Sequence, residues 1–241
     1  MSFYDDASLI MIPSGVKTGK VYSQKPMDSD GQFTFTRASE ATRLVDGVVT
    51  KVRTNEAIYS EQLDNAAWTK AAATITANAT TDPNGGATAD KVVEHASTNL
   101  HRAGLANISV ASGEVVSVSF YAKAAERTKI ELQRVNNAVF SSISTSIVDL
   151  SSGTFQSVGG NIIDSNIVDA GDGWYRISWS MQAIGAGTAG FNVGLVDGAG
   201  ALSYLGDGVS GAYLWGFQWE QGTVATDYIA TTTVAVSEGP V

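Results

Sequence analysis

Trp174-Tyr175-Arg176-Ile177-Ser178-Trp179-Ser180-Met181-Gln182 sets Tyr175, Ile177, Trp179 and Met181 on one side of the chain and Arg176, Ser178 and Ser180 on the other. Side chains of an extended strand point alternately to its two faces, so a period of two marks a strand with one apolar face. A helix would instead bring together residues three and four apart, which here mix apolar and polar types. The same alternation recurs along the chain. Val115 to Ala122 sets Val116, Val118 and Phe120 against Ser117, Ser119 and Tyr121. Ile130 and Leu132 share a face, as do Phe191, Val193 and Leu195. Ala212 to Glu220 sets Tyr213, Trp215, Phe217 and Trp219 against Leu214, Gly216, Gln218 and Glu220. Ser141 to Leu150 adds Ile143, Ile147 and Val148. Turn formers stand between these runs, at Asp82-Pro83-Asn84-Gly85-Gly86 and from Asp149 to Gly153. Helical patterning is weak, with room for a turn or two between Glu61 and Lys70. Recurrent strands without long helices predict an all-β, antiparallel sandwich.

The chain has 241 residues, enough for one large β domain with an extended arm. Its apolar share is 44%, while charged residues make up only 16%, below the roughly 25% of an average soluble domain. Ser, Thr, Ala, Asn and Gly fill the difference, and all suit turns and strand faces. The formal net charge of −9 has the wrong sign for a phosphate backbone, so no nucleic acid partner is expected. With no cysteine, disulfides, thiol catalysis and cysteine metal sites are excluded. Asp5 and Asp6 stand where a signal peptide would be basic, and the apolar stretch Leu9 to Ile12 ends at Pro13. No apolar run approaches the roughly 20 residues of a membrane-spanning helix, so no membrane insertion is expected.

Composition divides the chain into three parts. Residues 1–55 form an N-terminal arm: a short strand from Leu9 to Ile12, a turn at Asp28-Ser29-Asp30-Gly31, an alternating stretch from Gln32 to Arg37, and a hairpin turning at Asp46-Gly47. With few large apolar residues, the arm is too thin for its own core and suits docking onto a neighbour or subunit. Residues 56–230 form the main β domain, and 231–241 a C-terminal tail.

No catalytic constellation is evident. The only histidines, His95 and His101, flank Thr98-Asn99 in what reads as an exposed strand or loop. No Gly-x-Ser-x-Gly elbow and no phosphate-binding loop is present. Glycoside hydrolysis needs two carboxylates at a set separation. Asp164, Asp169 and Asp172 sit instead where turn chemistry places aspartates. Those three could supply oxygens to a structural Ca²⁺, but the turn role is favoured, and no metal or other cofactor is expected.

A sugar site needs amide, carboxylate or guanidinium groups for hydroxyls, and aromatic rings for C–H faces, on an accessible surface. If the apolar side of each strand faces inward, the opposite side presents Tyr121, Gln133, Arg176, Asn192 and Gln218. These five are the candidate glycan-binding residues. Trp179, Trp215 and Trp219 fall on apolar faces and are expected in the core, while Trp68 and Trp174 stand at strand or turn edges.

Several stretches resemble a known family when taken in order. Phe35-Thr36-Arg37-Ala38-Ser39 with Ala41-Thr42-Arg43 resembles the "TRAS-x-ATR" stretch of phage tail and head-fibre proteins. Phe3 to Leu9 and Pro13-Ser14-Gly15 resemble the head of such proteins. Tyr59-Ser60-Glu61 with Asn65-Ala66-Ala67-Trp68-Thr69-Lys70 resembles the opening of the module that follows, and Gly173 to Ser178 its central strand. Trp215 to Gly222 and Asp227-Tyr228-Ile229 resemble its closing strand, where "WGAQLE-x-G" and "tSYI" are usual; Phe217 and Trp219 depart from it by being bulkier. The resemblance implies a carbohydrate-binding-like, lectin-like jelly roll in a bacteriophage fibre or spike, with a place in the virion and contact to host-surface glycan. It implies no fixed set of binding residues. The expectation is therefore a non-enzymatic virion structural protein. It would be made in the host cytoplasm and joined to other virion proteins through its arm. It would be homo-oligomeric, a trimer being favoured, and its jelly roll would touch host-surface polysaccharide. Two other functions stay open: a purely architectural capsid or tail decoration protein, and an accessory module of a polysaccharide-degrading enzyme.

Overall fold

The computed structural model describes residues 52–135, 138–140 and 145–237, together with the strands β1 Ile10–Pro13, β2 Lys20–Lys25, β3 Phe33–Thr34, β4 Thr42–Val45 and β5 Val48–Lys51. The expected turns at Asp28–Gly31 and Asp46-Gly47, and the Ile143 position, lie outside the described residues. The chain divides after Val52 into two compact units. In the first, β1, β2 and β3 form a small antiparallel sheet in that order. β4 and β5 pair antiparallel with Val45 opposite Val48, the pairing expected of a hairpin there.

The second unit is a jelly-roll sandwich of two six-stranded antiparallel sheets. Its elements in chain order are β6 Thr54–Asn55, β7 Thr69–Ala71, β8 Ala73–Thr80, β9 Ala89–Glu94, β10 Thr98–Leu100, β11 Arg102–Val110, β12 Val115–Ala124, β13 Lys129–Val135, β14 Thr145–Asp149, β15 Thr154–Ser157, β16 Ile162–Gly171, β17 Trp174–Gln182, β18 Gly187–Val196, β19 Ser203–Leu205, β20 Gly211–Gln221 and β21 Val236–Ser237. The first sheet has the order β15-β14-β13-β18-β11-β7, and the second β16-β17-β12-β20-β9-β8. β10 pairs with β19, and β21 with β6, outside these sheets. Glu61 to Lys70 contains turns and no helix.

The inward positions read from alternation are the core. Ile130, Leu132, Phe191, Val193 and Leu195 of the first sheet face Val116, Val118, Phe120, Ile177, Trp179 and Met181 of the second, all buried. The two layers meet through rings. Phe191 of β18 stacks on Phe217 of β20 at 5.6 Å and 21°, and on Trp219 at 6.1 Å and 20°. Phe217 stacks in turn on Phe120 at 5.0 Å. Trp68, just before β7, closes the group edge-on to Phe191 at 5.8 Å and sits 4.7 Å from Phe217. Offset or tilted rings at such separations add to the burial of their large apolar area.

One strand departs from simple alternation. β20 pairs Gln218 with Ser119 but Trp215 with Tyr121, so an extra residue is inserted between them. The bulge falls at Gly216, whose φ of 65° lies in the left-handed region that glycine enters without cost. It moves Tyr213 and Trp215 to the outer side and turns Leu214, read from alternation as outward, into the core, while Phe217 and Trp219 stay inward. Trp215 is thus buried, but not in the main core. It forms a second cluster with Trp174 and Ala89, flanked by Tyr121, Tyr213 and Tyr228.

Truncating Phe191 removes the ring that joins both layers. Phe191→Ala is expected to lower unfolding free energy by about 3–5 kcal/mol, the usual cost of deleting a buried aromatic side chain. Urea unfolding followed by tryptophan fluorescence measures it, and a loss below about 1 kcal/mol would contradict the central place given to this stack.

Candidate functional site

The outer face of the first sheet is built by strand register. Arg102 of β11 lies opposite Gly194 of β18, which lies opposite Glu131 of β13. The next row out is Gly104, Asn192 and Gln133. All point away from the core because their neighbours Ala103, Phe191, Val193 and Leu132 point into it. Gly194 leaves the middle of its row bare. A Cβ there would lie 2.5 Å from Glu131 Oε1 and 2.8 Å from Arg102 Cγ, so only glycine lets the flanking side chains meet across it. They meet as a forked ion pair: Arg102 Nε donates to Glu131 Oε1, and Nη2 donates to Oε2 at 2.9 Å. The Glu131 side chain is fully buried and that of Arg102 is 12% exposed. Arg102 Nη1 donates to Gln133 Oε1 at 3.0 Å, and Asn192 Nδ2 donates to the same oxygen at 3.3 Å. Beside this network, Thr69, Asn99, Leu100, Arg102 and Asn192 line a recess of about 150 Å³.

The five residues nominated from alternation do not share one face. Gln133 and Asn192 belong to the face just described. Tyr121, Arg176 and Gln218 lie on the outer side of the second sheet, and there the chain returns over them. Residues 222–231 cross that face and are bonded to it. Gln218 is fully buried; its Nε2 donates to the carbonyls of Thr226 at 3.3 Å and Asp227 at 3.2 Å, and its Oε1 accepts from Ile229 N at 2.8 Å. Glu220, also fully buried, accepts from Thr226 N and Thr226 Oγ1, each at 2.7 Å. Arg176 Nη2 donates to the carbonyl of Thr226. Tyr121 packs 5.4 Å from Trp215 and 6.4 Å from Tyr228, with the Arg176 guanidinium 5.7 Å from its ring. Tyr228 bonds Ser60 Oγ at 2.6 Å and Glu61 Oε1 at 3.1 Å, and burial pushes its phenol above the usual range. Thr231 is buried and donates to the carbonyl of Ala57, and beyond it Val236 pairs with Asn55. The three residues therefore hold the returning chain in place. Alternation separates inward from outward; it does not say which outward face a later segment will cover.

Arg102, Glu131, Thr69 and Leu100 are not among the residues that alternation singles out. One local signal pointed to them: β18 alternates Gly190, Asn192 and Gly194 against Phe191, Val193 and Leu195. That is a strand with an almost bare outer side, on which longer side chains from neighbouring strands can lie.

The histidines also differ from expectation. His95 is exposed, but His101 is fully buried, its Nδ1 2.7 Å from the carbonyl of Ala72 and its Nε2 3.2 Å from that of Tyr204. It packs on the Tyr204 ring at 4.8 Å. The neighbouring Glu94 carboxylate is buried and receives Arg127 Nε at 2.7 Å, Arg127 Nη2 at 2.5 Å, Tyr204 OH at 2.6 Å and Asp207 N at 2.9 Å. Burial alone would push this carboxyl up, but the bonds from Arg127, Tyr204 and Asp207 outweigh it, and its pKa lies below the ordinary 4.5. Of the three aspartates expected in turns, Asp164 and Asp169 lie within β16 instead, where they accept from the backbone amides of Ser165 and Gly171, and only Asp172 occupies a turn, in a left-handed position at φ 52°. Among the described residues, no three His, Asp or Glu side chains gather closely enough to hold a metal ion.

No protein-family model matches the chain, and no curated protein matches it. Solved structures to which it is similar include the enzymatically active domain of tailspike protein 4 of bacteriophage CBA120, at 15% identity and a TM-score of 0.40, over 69% of this chain and 21% of that one. Another is the CBM22-1 xylan-binding domain from Paenibacillus barcinonensis Xyn10C, at 11% identity and a TM-score of 0.41, over 79% of this chain and 100% of that one. A third is the carbohydrate-binding module CBM6cm-2 from Cellvibrio mixtus lichenase 5A in complex with cellotriose, at 12% identity and a TM-score of 0.33, over 72% and 97%. The chain spans about a fifth of the tailspike chain's length. At such identities a likeness concerns fold and not function.

The Glu94 cluster gives a pH signature. A carboxyl whose folded pKa is depressed contributes stability that is complete above its unfolded value and is lost as pH falls through the folded one. Glu94→Gln should therefore be less stable than the parent chain at neutral pH, and the gap should close progressively below pH 4.5. Thermal unfolding of both proteins across that range checks it. A gap that stays constant with pH would show that the charge of Glu94 contributes nothing to the network.

Proposed function

We propose that the chain is a non-enzymatic, glycan-contacting component of a bacteriophage virion, and that contact is made on the outer face of the first sheet. The supporting observation is the fixed array of Arg102, Gln133 and Asn192 beside the recess walled by Thr69 and Leu100. Sugars are recognised by planar polar groups held at set angles, next to a small apolar wall. Here the amides are oriented in advance by a buried ion pair, so little side-chain entropy is lost on binding. The recess is smaller than the roughly 300 Å³ at which small-molecule pockets usually begin, which suits one ring of a longer glycan lying across an open face. Weak single contacts of this kind become useful when a particle presents many copies.

The virion assignment is supported by the resemblance of Phe35 to Arg43, Tyr59 to Lys70 and Trp215 to Gly222 to fibre and spike proteins. Attachment to other virion proteins and homo-oligomerisation, as a trimer, are proposed for residues 1–55. Its described strands are only two to six residues long, short for an independently stable unit. The absence of catalysis is supported by the commitment of the buried carboxylates. Glu131 and Glu94 are each engaged by an arginine, and Glu220 by Thr226 and Gln218.

Immobilised glycan arrays probed with the multivalently labelled full chain test the site. Gln133→Ala with Asn192→Ala should reduce binding at least about tenfold, the loss of one or two hydrogen bonds. Asn166→Ala, an exposed change on the other sheet, should leave binding unchanged. Equal loss from both variants would reject this placement. Binding to no glycan at all would reject glycan contact and leave the architectural role. Static light scattering of the full chain should give three times the monomer mass of 25.1 kDa; a monomer would refute the proposed trimer.

A further inference from the structure

We infer that the ligand of this face is a neutral sugar held edge-on through neighbouring hydroxyls, rather than an acidic sugar or a ring stacked on an aromatic platform. The inference rests on the glycan site proposed above and adds the class of sugar.

Charge comes first. Arg102 is the natural partner for a sugar carboxylate or phosphate, because its guanidinium forks onto two oxygens at once. Here that fork is already used. Nε and Nη2 hold the two oxygens of Glu131, and the Glu131 side chain is fully buried beneath the pair. An anionic ligand arriving over Arg102 would compete with this bond, and freeing Glu131 would leave a buried carboxylate without a counter-charge, which is strongly unfavourable. The chain's net charge of −9 also repels polyanions.

The amide orientations follow from the same pair. A guanidinium only donates, so the Gln133 atom facing Arg102 Nη1 at 3.0 Å must be the carbonyl oxygen. That oxygen also faces Asn192 at 3.3 Å, so Asn192 must present its amino group there. Both lone pairs of Gln133 Oε1 are thereby used. What remains is Gln133 Nε2, with donors to spare, and Asn192 Oδ1, an acceptor; neither bonds another described residue. A spare donor and a spare acceptor on residues paired across neighbouring strands match neighbouring hydroxyls of one ring, since each hydroxyl both gives and accepts a hydrogen bond. A carboxylate could use only the donor and would set its charge against Asn192 Oδ1.

Stacking is not available on this face. Its outward positions on β7, β11, β18, β13 and β14 are Thr69, Ala71, Arg102, Gly104, Asn192, Gly194 and their neighbours, with no aromatic ring among the described residues. Tyr121, Trp174, Tyr213, Trp215 and Tyr228 are packed together on the other sheet, outside the main core. Leu100 and Ala71 supply the apolar surface of the recess, enough to meet one edge of a ring.

Calorimetry of the full chain with neutral hexose trisaccharides and with matching uronic-acid trisaccharides, at about 0.05 M and about 0.5 M salt, tests this. Neutral sugars should bind with less than about a twofold change across that salt range, and the uronic acids at least about tenfold more weakly. Gln133→Glu keeps the contact to Arg102 but removes the donor, and should weaken neutral-sugar binding about tenfold. Tighter binding of the uronic acids, lost at high salt, would overturn the inference while leaving the glycan site standing. Neutral binding unaffected by Gln133→Glu would overturn the donor-acceptor assignment. Binding of neither class would overturn the inference and the glycan site together.

Discussion

The stack of Phe191 on Phe217 and Trp219 is the contact through which each sheet fixes the other. Phe191 comes from the first sheet, its two partners from the second, and Trp68 and Phe120 complete the group. Rings of this size must be removed from water together, and they can do so only if the strands carrying them have one inward side. The outward side of every core strand is then settled as well, since a strand has only two.

Settling the outward positions produced two quite different surfaces. On the second sheet, Arg176, Gln218 and Glu220 form a polar face that residues 222–231 cross and hydrogen-bond, while the buried hydroxyls of Ser117 and Ser180 on the same side find no partner among the described residues. The buried side chains of Gln218 and Glu220 are tolerated there because the returning chain supplies their partners. Gly216 serves that arrangement: its bulge turns Trp215 outward to meet Tyr121 and Tyr228, so the crossing chain is anchored by rings at one end and amides at the other. On the first sheet, no described segment of chain returns over Arg102, Gln133 and Asn192. Its polar groups instead satisfy one another in sequence, from Glu131 through Arg102 to Gln133 and Asn192. Gln133 keeps an unspent donor and Asn192, which lines the recess, an unspent acceptor.

What the sequence disclosed, and what it did not, follows from the range of the forces involved. Inward and outward are local properties, and the core residues Val118, Phe120, Ile177, Trp179, Phe191 and Val193 were legible from a period of two. The bulge at Gly216 was not, because it adds a residue without breaking the apolar run, so Trp215 was placed on the wrong side of its strand. The pairing of strands is non-local. Tyr121 and Gln133 are close in sequence and both outward, yet belong to different sheets because their strands have different neighbours. The burial of Gln218 depended on a segment that returns after the last long strand. His101 looked exposed among polar neighbours, but it is enclosed once β19 brings Tyr204 against it. The partnership of Arg102 with Glu131 arises only through register across a bare glycine, which a single strand does not reveal.

The central claim is that the open polar face of the first sheet, and not the covered face of the second, meets sugar. Side-chain amide resonances report on both faces at once in a single titration of the isotopically labelled full chain. On addition of a neutral trisaccharide, the NH2 signals of Gln133 and Asn192 are predicted to shift with saturation while those of Gln218 stay in place. Movement of the Gln218 signals with those of Gln133 and Asn192 unmoved would contradict the account.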